Sequence, residues 1–174
     1  VAGECAQLLD ASRDSIRRLA RQLHPAALEN IGLPSAIRQL GDDAVRANGV
    51  AFDPELEEDV DEHIAASERI QIYRIVQEAV TNAMKHAQPS RVGVALMRAG
   101  DSVWLAVRDD GVGFEQTGRK PMHGFGMMSM TERATMVDGT LAIVSRPGTG
   151  TLVTLQMPAR RKRRDVIPIS RSVD

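Results

Sequence analysis

Apolar side chains fall at Cys5, Leu8, Leu9, Ile16, Leu19 and Leu23, spacings that trace one stripe along an α-helix. Pro25 ends that pattern. A second stripe, Ala36, Ile37, Leu40, Ala44 and Val45, comes after Leu33-Pro34-Ser35, where the proline suits a first helical turn. Asn48-Gly49 closes it, and Val50-Ala51-Phe52 then suits a short strand. The acidic stretch from Glu55 to Glu62 reads as a solvated loop. A long helix is predicted from Ser67-Glu68 to about His86, with Ile72, Tyr73, Val76, Ala79, Val80, Ala83 and Met84 on its apolar face. Gln88-Pro89-Ser90 is a turn. Val92 to Leu96 and Val103 to Val107 read as strands joined at Ala99-Gly100-Asp101. From Asp109 to Gly126 the chain is glycine-rich and irregular. Met127 to Val137 reads as a helix ended by Asp138-Gly139. Leu141 to Ser145 and Thr151 to Met157 form a last hairpin.

Helices followed by α-β-β-α-β-β predict an α+β fold, a two-layer sandwich whose mixed sheet carries helices on one face. The first helix has nothing before it to pack on, so its stripe calls for a partner helix in this or another chain. Hydrophobic residues make up 43% of the sequence but aromatic ones only 3%, so aliphatic and Met side chains must fill the core. A net charge of -1 gives no reason to expect a nucleic-acid partner. Cys5 is the lone cysteine, which excludes an internal disulfide and suits a cytoplasmic location. No apolar run reaches membrane-span length and no signal peptide opens the chain, so no membrane contact is expected from this segment, although its parent can be anchored. The start at Val1, within a helical pattern, points to a fragment. Arg160 to Arg164 is a basic run, and the segment after it contains Pro168 and Ser170; the end reads as a disordered tail.

Candidate chemistry begins on the long helix. Glu78, Asn82 and Lys85 stand at i, i+4 and i+7, within roughly 60° of one another at about 100° per residue. One reading is the solvated face of a half-buried helix. The other is a catalytic edge. There Asn82 offers oxygen to Mg²⁺, directly or through water. Glu78 orients a water or accepts a proton, and Lys85 offsets phosphate charge. His86, at the helix end, either approaches phosphate or favours the helix terminus. Asp109-Asp110-Gly111-Val112-Gly113-Phe114 comes directly after a strand. It reads as an ordinary Asp-Gly loop, or as a carboxylate for the amino group of adenine with glycines that let backbone approach the base. Gly124-Phe125-Gly126-Met127 opens a helix, and its free N–H groups suit phosphate. Glu115 to His123, between the two, is polar and suits a lid. Gly148-Thr149-Gly150-Thr151 alone is a hairpin turn.

In this order the four pieces resemble the boxes of the ATPase superfamily shared by gyrase, a heat-shock chaperone, mismatch-repair ATPases and histidine kinases. Gln77 to His86 looks like the N box, Asp109 to Phe114 and Gly124 to Met130 like the two glycine boxes, and Gly148 to Thr151 like the last. The resemblance implies a Bergerat-type sandwich, with Glu78 and Asn82 both catalytic and both at the Mg²⁺ site. It also implies ATP contacts from Asn82, Lys85, His86, Asp109, Gly111, Gly113, Gly124, Phe125, Gly126, Met127 and Thr151. A closer resemblance is to sensor histidine kinases that partner NarL-type response regulators. It is carried by Arg17 to Pro25, Leu28 to Leu33 and Gly126 to Arg133, and covers about Ser12 to Pro158. It implies that residues 1–24 end a dimerisation hairpin, that 25–158 form the catalytic domain, that 159–174 are the tail, and that the parent is a homodimer.

The resemblance does not make His24 the phosphoacceptor. In that subfamily the acceptor lies on the first dimerisation helix beside an acidic residue, whereas Pro25 comes after His24. His63 reads as a surface residue; His123 has no assigned role. The implied activity is transfer of the γ-phosphoryl of ATP to a histidine upstream. Two alternatives stay open: an anti-sigma-type serine kinase, against which the Leu23-His24-Pro25 and Gly32-Leu33 segments speak, and a non-catalytic ATP-binding interaction module. No P-loop is present, so the ordinary nucleotide-binding fold is not expected.

Overall fold

The computed structural model describes residues 26–115 and 125–160. The predicted first helix, His24, nearly all of the predicted lid, Gly124 and the tail beyond Arg160 lie outside the described residues. Within them, α1 spans Ala26–Asn48 and is broken at Gly32, whose φ of 79° no helix accommodates. The second half of α1 restarts at Leu33, whose N–H donates to the Asp61 carboxylate at 2.9 Å. β1 is Ala51–Leu56, and a short 3-10 helix covers Val60–His63. α2 is Ala66–Asn82, continued by one π-turn over Ala83–Ala87. β2 (Arg91–Ala99) and β3 (Ser102–Asp109) form a hairpin. α3 is Phe125–Thr135, and β4 (Thr140–Arg146) and β5 (Gly150–Pro158) form the last hairpin.

The acidic stretch is not the solvated loop its composition suggested. Glu55 and Leu56 belong to β1, Val60 is fully buried, and Asp61 caps α1 at its break while pairing with Arg69 at 3.5 Å. Two apolar residues among many charges, Leu56 and Val60, were enough to pin the segment to the core. His63, expected at the surface, is half-buried, with its Nδ1 3.4 Å from the Arg160 carbonyl oxygen.

The sheet order is β1-β2-β3-β5-β4, with β1 parallel to β2 and every other pair antiparallel. Alternate residues Val92, Val94 and Leu96 on β2, Val103, Leu105 and Val107 on β3, and Val153, Leu155 and Met157 on β5 are buried. That period of two gives one face to the helices and the other to solvent. Leu33 and Ile37 of α1, Ile72, Ile75, Val76 and Val80 of α2, and Met130 and Ala134 of α3 close on the buried face. This is the mixed sheet with helices on one side that the pattern predicted. Full burial of such aliphatic side chains stabilises by about 1.5–3 kcal/mol each, which lets the fold stand with almost no aromatic residues.

Two residues of the basic end are held to the domain. Ala159 N–H bonds the Asp101 carbonyl at 2.9 Å, and Arg160 N–H bonds the His63 carbonyl at 2.8 Å. The Arg160 guanidinium reaches Glu68, whose other oxygen takes the Ala65 N–H at 2.8 Å ahead of α2. Burial of Glu68 works against its charged form. The Arg160 hydrogen bonds, the Ala65 N–H and the Arg160 charge together outweigh burial and hold the carboxyl below its ordinary range. Among the described residues no helix is long and apolar enough to cross a membrane.

Candidate functional site

A cleft of about 360 Å³ opens between the end of α2, the N-terminus of α3 and the β3–β5–β4 part of the sheet. Its size fits a nucleotide-sized ligand. Ala79, Asn82, Ala83, His86 and Ala87 form the α2 wall. Val107, Ile143 and Val153 make an apolar floor with Met127 and Met130 of α3 over it. Asp109 and Thr151 are polar groups within that floor, and Gly113, Phe114 and Gly126 line its rim.

The π-turn decides which residues of the helix face the cleft. A π-turn packs more residues per turn than an α-helix, so the residue stacked beyond Asn82 comes later than 3.6-residue spacing predicts. His86 therefore lines the cleft, while Lys85, which α-helical spacing had placed beside Glu78 and Asn82, is exposed and off the wall. The turn ends at Gln88 with φ 49°, and the Ala87 carbonyl accepts the Val112 N–H at 2.8 Å.

Three glycines let backbone segments meet around the cleft. A Cβ on Gly111 would come 2.3 Å from the Ala87 carbonyl oxygen. One on Gly113, which has φ 61°, would come 2.1 Å from that of Arg146. One on Gly126 would come 1.9 Å from Glu78 Oε1 and 3.3 Å from Asn82 Nδ2. Real Cβ contacts are never as close as the first of these. Gly126 thus brings the start of α3 directly onto the Glu78-Asn82 edge of α2.

Asp109 is 6% exposed, and its Oδ1 takes the Gly111 N–H at 2.9 Å. Asp110 points the other way and takes the N–H groups of Ser90 and Arg91, at 2.8 and 2.9 Å, and the Ser90 hydroxyl. Those bonds, the Ser90 hydroxyl foremost, lower its pKa. The two neighbouring carboxylates thus divide the work. Asp110 pins the loop to β2, and Asp109 is left facing the cleft.

Sequence reasoning passed over Ser145. It is 5% exposed on β4, and its hydroxyl meets the Phe114 N–H at 2.9 Å, the Gly150 carbonyl at 3.0 Å and the Thr151 hydroxyl at 3.0 Å. It ties the first glycine segment to the last hairpin. A buried polar residue inside an otherwise apolar inward row was the signal available in sequence.

Of the residues expected at the site, Asn82, His86, Asp109, Gly113, Gly126, Met127 and Thr151 line the cleft. Glu78 lies against Gly126, and Gly111 against Ala87. Phe125 is 92% exposed and outside the cleft lining.

Residues 67–161 match the family of histidine kinase-, DNA gyrase B- and HSP90-like ATPases. The chain is 34% identical over 145 residues to the oxygen sensor histidine kinase NreB of Staphylococcus carnosus, a match covering 83% of this chain and 42% of that protein. It is 31% identical over 139 residues to the signal transduction histidine-protein kinase/phosphatase DegS of Bacillus subtilis, covering 77% and 36%. The chain thus spans well under half the length of these relatives. Among solved structures, the histidine kinase domain of the Erythrobacter litoralis EL346 blue-light activated kinase superposes with a TM-score of 0.62 at 21% identity, over 72% of this chain and 60% of that one. The nucleotide-free catalytic domain of the histidine kinase ThkA gives 0.60 at 15% identity, over 74% and 92%. At these identities the superpositions show a shared fold.

Proposed function

Because the chain belongs to the histidine kinase-, DNA gyrase B- and HSP90-like ATPase family, we propose that it is the catalytic portion of a cytoplasmic sensor histidine kinase. It binds Mg-ATP and passes the γ-phosphoryl to a histidine on another segment of its homodimeric parent, for relay to a NarL-type response regulator. The observation that carries this reading is one cleft with two chemically distinct ends. At one end, a buried carboxylate, Asp109, sits in an apolar floor that suits a flat base. At the other, Gly126 lays the first turn of α3 against Glu78 and Asn82. The Gly126 α-carbon and the helix start leave room and N–H groups for phosphate.

The donor set fits Mg²⁺ as a partner of phosphate. Asn82 and Glu78 supply hard oxygens, and no group of three or more His, Cys, Asp and Glu exists among the described residues to form an all-protein cage. Mg²⁺ is held by few protein oxygens when phosphates complete its shell. When bound, it neutralises charge on the phosphates. Asn82 would hold it, Glu78 would orient the attacking group, and the cleft walls would fix the nucleotide in line.

The match to sensor kinases, reaching 83% of the chain, favours this reading over a serine kinase of the anti-sigma type. Transfer from γ-labelled ATP tests it. The parent should acquire an acid-labile label and pass it to a NarL-type regulator, and the 174-residue chain given ATP alone should not. A label on that chain that vanishes in His24→Gln would make His24 the acceptor and overturn the placement proposed here.

A further inference from the structure

With the cleft read as a nucleotide site, a reading on which all of this rests, the hydrogen-bond polarity of its floor acquires a consequence. A hydroxyl carries one proton and accepts through its lone pairs. The Phe114 N–H can only donate to Ser145 Oγ, and the Gly150 carbonyl can only accept from it. The Ser145 proton therefore lies on Gly150. The 3.0 Å contact between Ser145 Oγ and Thr151 Oγ1 must then run from Thr151 to Ser145. All three contacts are satisfied together only in this arrangement. Thr151 has given away its only proton and presents lone pairs to the cleft.

Ser145 pairs with Thr151 across β4 and β5, and Arg108 pairs with Leu152 across β3 and β5. Asp109 and Thr151, the next residues along, thus lie at one level of the inner face. Asp109 is also an acceptor there. Its Oδ1 holds the Gly111 N–H, and its other oxygen takes no hydrogen bond from the described residues.

We propose that Ser145 is a positioning residue that locks the Thr151 hydroxyl as an acceptor. This end of the cleft thereby selects a purine with an amino group at its six-position over one with a carbonyl there. An amino group brings protons to both acceptors. A carbonyl sets lone pairs against lone pairs, a repulsive element that builds selectivity.

ADP and IDP differ in that six-position group, and calorimetry of the 174-residue chain with each reads the effect. Wild type should prefer ADP. Ser145→Ala frees Thr151 to turn its proton to the cleft, so the preference should fall about tenfold. Any loosening of the Phe114 segment weakens both nucleotides alike and cancels in the ratio. Thr151→Val should also lower the ratio, and adding Ser145→Ala to it should change the ratio no further. Equal loss of ADP and IDP in Ser145→Ala would make Ser145 merely structural. If Ser145→Ala does not fold, Thr151→Val decides alone: an unchanged ratio overturns the proposal. Wild-type chain that binds both equally also overturns it while leaving the nucleotide site intact. Wild-type chain that binds neither removes the site and the inference together.

Discussion

Gly126 and Glu78 occupy each other's space: the glycine has no side chain where the carboxylate stands, and a Cβ there would lie 1.9 Å from Oε1. What such a Cβ displaces is the end of a flexible side chain, so the backbone need not move. Ala is also favoured over Gly in a helix by about 1 kcal/mol. Gly126→Ala should therefore fold with a melting temperature near wild type but lose at least about tenfold in phosphoryl transfer as Glu78 is pushed aside. Gly113→Ala should behave oppositely. Its φ is positive and its Cβ would meet the Arg146 and Gly150 carbonyls, so about 3 kcal/mol or more of stability should be lost. Denaturant titration beside an activity assay separates the two; equal stability loss in both variants would contradict this difference.

Asp109→Asn tests the base end of the cleft. The amide oxygen can keep the Gly111 N–H, which leaves the NH₂ facing the cleft where a carboxylate oxygen had been. An amino donor on the ligand then meets another donor. ATP affinity measured by calorimetry should fall about 10- to 100-fold. Unchanged affinity would remove Asp109 from the site.

Asn82→Ala tests the metal end. The Asn82 side chain makes no hydrogen bond among the described residues, and Ala is a good helix former. Stability should stay within about 1 kcal/mol of wild type, while Mg²⁺-dependent turnover falls at least about tenfold. A variant that unfolds, yet shows normal Mg²⁺ dependence in its folded fraction, would make Asn82 structural.

The Glu68–Arg160 pair predicts an acid-sensitive contribution to stability. Glu68 titrates below its ordinary range in the folded state. Its contribution is therefore complete above the unfolded carboxyl value, about 4.3, and is lost as pH falls through the lowered folded value. Arg160→Ala removes the outweighing partner and leaves burial to act on Glu68. Its melting temperature should lie below wild type at about pH 7, and the gap should narrow toward about pH 3. A gap independent of pH would show that Arg160 acts through packing alone.

How far the fold could be read ahead depended on the range of the interactions involved. Alternation on β2, β3 and β5 and the stripe on α2 are local consequences of side-chain direction, so sheet, helices and their order were legible. That the motif residues Asn82, Asp109, Gly113 and Gly126 would share a cleft was legible too, because three of them sit where an element begins or ends and Gly113 lies in the loop after β3. The acidic stretch was misread because composition describes its surface, whereas Val60 in the core and Asp61 on Leu33 are contacts with residues far along the chain.

The sequence by itself determined which residues face inward, since helix and strand periods arise from backbone geometry alone. Only the tertiary structure decided which of them share a site. The π-turn after Asn82 kept His86 on the cleft wall and left Lys85 outside it. Strand register put Ser145 beside Thr151. Arg160, read as tail, became the partner of Glu68. Each outcome depends on one element packing against another, and the energy of that packing is not written in any single segment.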